Sequence, residues 1–159
     1  MPQTEISPET EIAARLRTVI GKLSRRLRPT SAATSAGLTP TRSSVLLTVD
    51  RAGSIRLSEL AASEAINPTM LSRIVSDLAD IGLLERISDL HDKRAAWVAV
   101  TDKGRQLSAR MRRERTDAVS VALGALNDAD RRLIEECIPA LEQFAEQLKE
   151  VRRPLGAAA

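Results

Sequence analysis

The chain has 159 residues, 43% apolar and 28% charged, a composition typical of a single soluble globular domain. Its one cysteine excludes a disulfide framework and a cysteine-rich zinc site, and it indicates a reducing, cytoplasmic compartment. No apolar run reaches the roughly 18 residues of a membrane span, and the polar start "MPQTEISPETEI" does not resemble a signal peptide.

Helix-capping residues predict where the helices begin. Ser7, Thr39 and Asn67 each precede a proline, the arrangement of an N-cap followed by the first helical residue. Thr101 and Asn127 are predicted to be two further N-caps. In chain order, the predicted helices cover about 8–30, 40–51, 57–65, from Pro68 to Gly82, 102–125 and 128–151.

Two strands are predicted after Gly82, because the apolar pattern there changes from helical to alternating. They are "LLERI" and "AAWVAVT", and the charged segment "SDLHDKR" joins them as a hairpin loop. The segment "SIR" before the third helix is too short for more than a β-bridge, and "PTSAATSAG" after the first helix has few helix signals.

Basic residues are concentrated in two of the predicted helices, although the formal net charge is only +3. The segments are "RLRTVIGKLSRRLR" and "RQLSARMRRER". Clustered arginine and lysine are typical of a surface that binds a polyanion such as DNA. The same charges suit a solvated helix surface with internal ion pairs, so the basic runs leave both interpretations open.

The helix that begins at Pro68 has two contrasting sides. Its apolar residues recur at helical spacing and predict a buried stripe: Leu71, Ile74, Val75 and Leu78. A second stripe has short hydroxyls and one arginine but no carboxylate: Thr69, Ser72, Arg73 and Ser76. A side without carboxylates can approach phosphates, and a helix N-terminus adds backbone N–H donors, so this stripe is predicted to face DNA.

The order helix, turn, helix, hairpin is that of a winged helix-turn-helix. The segment "LSELAASEAINPTMLSRIVSDLADIGLLERISDLHDKRAAWVAVTDKG" resembles the MarR family of transcriptional regulators in its short helix, its recognition helix, "GLLER", "DKR" and "VAVTDKG". The resemblance implies a mainly α fold with a small β-wing, comprising six helices and a two-stranded hairpin, in an intertwined homodimer. It implies one domain over residues 1–159, with dimerisation helices at about 8–36 and 102–151 and a DNA-binding lobe at about 40–101.

The resemblance also assigns roles to individual residues. On the wing, Arg94 would reach the minor groove, Lys93 would contact a phosphate, and Asp92 would hold the wing by pairing with Arg86 or Arg94. Arg86 is interpreted as structural. The predicted contacts of the recognition helix with the major groove, where Arg73 is the best candidate for a guanine edge, are Pro68, Thr69, Ser72, Arg73 and Ser76.

The function implied by the resemblance is sequence-specific transcription regulation, most often repression, by a homodimer on a pseudo-palindromic DNA operator. Many relatives release DNA on binding a small lipophilic or aromatic acid. The chain has no tyrosine and only 1% aromatic residues, so a ligand pocket here would be aliphatic, with Arg17 or Arg42 as carboxylate anchors. The alternative is a constitutive or architectural DNA-binding protein without a ligand switch. No enzyme activity, cofactor, metal or membrane partner is expected, because no catalytic or nucleotide-binding motif is found.

Overall fold

A computed structural model of the chain describes residues 7–88 and 96–151. Its contacts divide the chain into two compact units, residues 1–116 and residues 117–159. The described elements are, in chain order, α1 (Pro8–Leu27), α2 (Ser31–Ser35), α3 (Pro40–Ala52), β1 (Ser54–Arg56), α4 (Leu57–Glu64), α5 (Pro68–Asp80), β2 (Leu84–Ser88), β3 (Ala96–Val100), α6 (Asp102–Gly124) and α7 (Asp128–Val151). The prediction of a mainly helical winged fold is therefore confirmed.

Each of the five predicted N-caps accepts a hydrogen bond from the backbone N–H group three residues later. The donor–acceptor distances run from 2.9 Å at Asn127 to 3.4 Å at Ser7. A side chain of this kind satisfies one backbone donor that the helix itself leaves without a partner. Helix starts in this chain are thus fixed by local sequence.

The described chain has seven helices rather than six, because residues 31–35 form the short helix α2. Its N-cap is Thr30, whose Oγ1 accepts from the N–H of Ala33 at 3.2 Å. The carboxylate of Glu114 on α6 accepts from the N–H groups of Ser31 and Ala32 at 2.6 and 3.0 Å. The first helix ends at Leu27 instead of continuing to residue 30. A five-residue helix cannot be stable alone, and its partner lies far along the chain, so the local pattern did not predict it.

The sheet has three antiparallel strands, in the order β1-β3-β2, instead of the predicted two-stranded hairpin. The segment "SIR" pairs with β3 through Ser54 opposite Ala99 and Arg56 opposite Trp97. Strand β2 pairs with the other edge of β3, from Leu84 opposite Val100 to Ser88 opposite Ala96. The prediction of a single β-bridge at "SIR" is wrong. Strand β3, in which Val98 pairs with Ile55 43 residues earlier, forms a complete antiparallel ladder with this segment.

The core of the first unit lies between α3, α4, α5, the sheet and the first half of α6. On α5, Leu71, Val75 and Leu78 are fully buried and Ile74 is 8% exposed, which confirms the predicted stripe. Because the two sides of a helix are linked by its geometry, burial of this stripe turns the opposite side of α5 outward.

Helix α1, in the same unit, contributes no buried residue. Its large apolar side chains remain exposed: Ile12, Val19, Ile20 and Leu23. Exposed apolar residues in a row along one helix indicate a surface that another chain or molecule covers.

The second unit contains the end of α6 and the whole of α7. Its large exposed apolar residues on α7 are Leu133, Ile134, Ile138, Leu141, Phe144 and Leu148. Cys137 lies on this apolar stripe and is exposed in the single chain. Among the residues that the structure describes, no helix is both long and apolar enough to cross a membrane.

Gly104 lies where the first turn of α6 meets the start of β2. A Cβ atom at this position would stand 2.1 Å from the carbonyl oxygen of Leu83 and 2.8 Å from a methyl group of Val100. We expect Gly104→Ala to lower the free energy of unfolding by about 3 kcal/mol, because the backbone of Leu83 must move. Urea unfolding at one fixed protein concentration measures this change.

The matched control is Gly124→Ala, at a helical glycine whose added Cβ meets nothing within 4 Å. This variant should be more stable than the unchanged chain by about 0.5–1 kcal/mol, since alanine favours the helix. Equal unfolding midpoints for the two variants would contradict the close approach at Gly104.

Candidate nucleic-acid interface

The outward side of α5 carries the residues predicted to meet DNA. Pro68, Thr69 and Arg73 are exposed, whereas Ser72 and Ser76 are half-buried. The first turn of α5 contains no acidic residue, and the side chain of Asn67 caps its N-terminus. Met70, which the sequence reasoning did not select, is 58% exposed next to Thr69. A helical projection that extends the second stripe by one residue would have included it.

The first acidic residue of α5 is Asp77, and it forms an ion pair with Arg42 of α3. Both side chains are about one-third exposed (34% for Arg42 and 36% for Asp77), so the pair adds little to stability. It nevertheless offsets a negative charge beside the outward side of α5. Arg42, predicted as a ligand anchor, thus contacts α5.

A groove of about 530 Å³ separates the start of α3 from the first turns of α5. Its lining includes Thr69, Met70 and Arg73 from α5 and Thr41 and Arg42 from α3. Thr69 and Arg73 therefore lie on the α3 side of α5, whereas Ser72 and Ser76 lie on the side of the sheet.

Arg86 on β2 reaches across to these two serines. Its Nη2 donates to the Ser72 carbonyl oxygen at 3.0 Å, to Ser72 Oγ at 3.2 Å and to Ser76 Oγ at 3.0 Å. These hydrogen bonds support the interpretation of Arg86 as structural, because its guanidinium connects β2 to α5. The sequence reasoning did not anticipate that the contact would use two of the predicted DNA-binding residues.

The wing tip falls outside the described residues, and so do Asp92, Lys93 and Arg94. Their predicted roles stay predictions. The strands that lead to the tip are described, and Arg56 on β1 places its guanidinium 5.2 Å from the centre of the Trp97 ring on β3. Trp97 is thus a partly buried surface residue with a cation–π neighbour.

A larger cavity of about 640 Å³ lies between the end of α1, α3, the end of α4 and α6. Its lining includes several hydroxyl side chains and the carboxylate of Glu64, together with aliphatic residues and arginines: Leu27, Leu47, Ile66, Arg28, Arg51 and Arg115. Neither Arg17 nor Arg42 lines this cavity; Arg17 is exposed on α1. The three arginines lie just after α1, on α3 and on α6, so sequence spacing gave no signal that they would meet.

Glu114, the neighbour of Arg115 on α6, holds the N-terminus of α2. The Ser31 hydroxyl donates to Oε1 at 2.8 Å, and this bond lowers the pKa of the Glu114 carboxyl, with backbone N–H groups of Ala32 and Ser31 adding to the effect. An ionised carboxylate at a helix N-terminus is the favourable arrangement. The contact joins α6 to the segment between α1 and α3.

Comparison with known proteins decides the identity of this fold. The family model described as MarR matches residues 38–96, the segment that contains α3 to β2 and the start of β3. These residues match a MarR-family domain. A curated relative in Mycobacterium bovis, named as an uncharacterised HTH-type transcriptional regulator, is 27% identical over 129 residues, which cover 81% of this chain and 89% of the relative.

Solved structures show the same MarR-type fold. The apo form of Escherichia coli MarR superposes with a TM-score of 0.70 at 21% identity, covering 87% of this chain and 98% of that one. The structure of NadR in complex with 4-hydroxyphenylacetate has a TM-score of 0.62 at 20% identity, covering 89% and 97%. The resemblance of the sequence to DNA-binding MarR-family transcription regulators is therefore confirmed, and the helix-turn-helix consists of α4 and α5.

Proposed function

We propose that this MarR-family chain represses transcription by binding a pseudo-palindromic operator as a homodimer, with α5 in the major groove. The observation that carries the proposal is the charge pattern of α5. From Pro68 to Ser76 the helix has no carboxylate, and Arg42 neutralises Asp77, the first one that follows. An outward helix side of this kind meets no electrostatic penalty when it approaches DNA phosphates.

Arg73 supports direct readout of a base. It is exposed on the outward side of α5, next to Thr69 and away from the buried stripe. A guanidinium can donate two parallel hydrogen bonds to N7 and O6 of guanine, which is the most common specific contact in the major groove. Thr69 and Pro68 at the start of α5 would lie near phosphates, which the positive end of the helix dipole attracts.

The wing supplies the second part of the proposed contact. We carry over from the resemblance that Arg94 enters the minor groove, Lys93 contacts a phosphate and Asp92 maintains the wing conformation. These contacts would hold DNA of any sequence, because a narrow minor groove and the phosphate backbone attract positive charge whatever the bases are.

Arg73→Ala tests the proposed reading role. An operator is first selected from random DNA duplexes, and binding is then compared between this operator, its single-base variants and scrambled DNA. The variant should lose about 1–3 kcal/mol of discrimination at one base pair, because the guanine contact is gone. Arg26→Ala, which removes an exposed arginine of α1, is the control and should keep the discrimination.

Arg73 is not a reader if the alanine variant discriminates every base pair as the unchanged chain does. A specificity ratio below about a thousandfold for the unchanged chain would favour the architectural alternative.

The homodimer is proposed from the uncovered apolar side chains of α1 and α7. Six large apolar residues on α7 and four on α1 are exposed in the single chain. Burial of apolar surface contributes about 25 cal/mol per Å², so side chains of this size favour association when a second copy covers them. The two copies would present two α5 helices to consecutive turns of the DNA major groove.

Sedimentation equilibrium without DNA checks the dimer. At micromolar concentration we expect twice the chain mass of 17.3 kDa. Leu141→Glu places a charge on the exposed stripe of α7 and should shift the protein toward monomer, whereas Gln143→Glu adds the same charge off the stripe and should not. A monomer for the unchanged chain would rule out this proposal.

A ligand switch is the remaining part of the proposed function. The cavity of about 640 Å³ is lined by aliphatic side chains, by serine and threonine hydroxyls and by three guanidinium groups beside one carboxylate, Glu64, so its excess of positive charge suits a molecule that carries an acid group. NadR, which shares the fold, was solved with the aromatic acid 4-hydroxyphenylacetate. A ligand that prefers one dimer shape and an operator that prefers another would antagonise each other reciprocally.

Titration of the protein–operator complex with salicylate and with octanoate tests the switch. We expect at least one of these acids to release DNA, and Arg51→Ala to weaken the release because a cavity anchor is lost. Arg17→Ala is the control, because Arg17 lies outside the cavity lining. If Arg17→Ala alone abolishes release, the anchor is on α1 instead, and if neither acid acts at millimolar concentration, the chain is a constitutive DNA-binding protein.

A further inference from the structure

Arg86 occupies a position from which its charge reaches the DNA-facing side of α5. It follows Leu84 by two residues on β2, so the two side chains leave the strand on the same face. Leu84 is buried in the core, and Arg86, one step further out, reaches past the core edge to α5. There its Nη2 lies 3.2 Å from Ser72 Oγ and 3.0 Å from Ser76 Oγ.

These contacts restrict what the two serines can do. A guanidinium only donates hydrogen bonds and does not lose its proton in proteins, so both hydroxyl oxygens act as acceptors toward Arg86. Each serine thereby uses a lone pair and retains its O–H hydrogen, which cannot point at the cation. The hydrogens of Ser72 and Ser76 are left to donate to a different partner.

Within a helix, serine often donates to the carbonyl oxygen one turn earlier. Among residues 7–88 and 96–151, neither Ser72 nor Ser76 makes this bond, whereas Thr18 and Thr34 do. The Ser72 carbonyl, which would be the acceptor for Ser76, receives Arg86 at 3.0 Å instead. The two hydroxyl hydrogens are therefore directed neither to Arg86 nor back into the helix.

We propose that Arg86 is a positioning and specificity-determining residue, which makes Ser72 and Ser76 hydrogen-bond donors toward the major-groove edges of purines. This inference rests on the proposed binding of DNA by α5. The matching acceptors are N7 of adenine or guanine, O6 of guanine and O4 of thymine, and guanine, with two adjacent acceptors and no amino group at this edge, is the best match, whereas the amino groups of cytosine and adenine present donors. The fixed positive charge of Arg86 behind the serines strengthens this preference, because it attracts electronegative base edges and repels amino hydrogens.

A purely structural Arg86 would behave differently. If the residue only fastens β2 to α5, its removal should weaken binding to all DNA sequences by the same factor. If it sets the direction of the serine hydrogen bonds, its removal should change which bases are preferred at the positions that Ser72 and Ser76 contact. The shape of the sequence preference, measured apart from the overall affinity, distinguishes the two roles.

The experiment starts with selection of bound sequences from random duplexes, for the unchanged chain and for Arg86→Met and Arg86→Lys. Methionine has a similar length but offers no donor, whereas lysine remains a donor-only cation. We expect the unchanged chain to prefer purines at one or two positions per half-site by about three- to tenfold, the range of single hydrogen bonds. Arg86→Met should lose this preference, and Arg86→Lys should retain it at least in part. Circular dichroism and thermal unfolding establish that each variant is folded.

Chemically altered operators then identify the acceptor. Replacing a preferred purine by its 7-deaza analogue removes N7 and should weaken binding of the unchanged chain about three- to tenfold. The double variant Ser72→Ala, Ser76→Ala should be insensitive to the same replacement. Neutral methylphosphonate linkages at the adjacent phosphates form a separate arm, which detects hydroxyls that donate to the backbone instead.

Several results would overturn the inference. A purine preference that is unchanged in Arg86→Met, or 7-deaza sensitivity that persists in the double alanine variant, would show that the serines and Arg86 do not set it. Sensitivity to methylphosphonates without sensitivity to 7-deaza purines would assign the hydroxyls to phosphates. A selection that yields no preferred sequence for the unchanged chain would instead refute the proposed sequence-specific function, and this inference with it.

Discussion

Four apolar side chains fix the orientation of α5, and every contact described for the DNA-facing surface depends on that orientation. Leu71, Val75 and Leu78 are fully buried and Ile74 almost so, against a core shared with α3, α4 and the sheet. Each such side chain contributes about 1.5–3 kcal/mol when it leaves water, so rotating α5 about its axis would lose several of these contributions together. The direction in which Arg73 and the two serines point is therefore a consequence of core packing.

The charged side chains around α5 affect the position of this helix more than the stability of the fold. The Arg42–Asp77 pair is partly solvent-exposed, and pairs of this kind are worth at most about 1 kcal/mol. Its effect is to offset the charge of Asp77, the first carboxylate of α5, and to connect α3 with α5. Arg86 acts from the opposite side and connects α5 with β2. Helix α5 is thus flanked by two arginines from two different elements.

The sequence predicts those features of the structure that residues close together in the chain determine. The N-caps at Ser7, Thr39 and Asn67 and the buried stripe of α5 follow from spacing within a few turns, and all of them were predicted. Helix α2 and strand β1 could not be predicted in this way. Glu114, which caps α2, and β3, which pairs with β1, are distant from them in sequence.

The same distinction applies to the functional surface. The chemical character of α5 was readable from its sequence, since the stripe without carboxylates lies within one helix. The contacts of Arg42 with Asp77 and of Arg86 with Ser72 join residues 35 and 14 positions apart, and no periodic pattern predicts them.

These observations lead to one central claim, that two copies of the chain bind one operator through two α5 helices. Sedimentation equilibrium of the protein mixed with its selected operator duplex tests it most directly, because the mass of the complex gives the number of chains. The account predicts two chains of 17.3 kDa on each duplex at saturation. A saturated complex with a single chain on each duplex would contradict it.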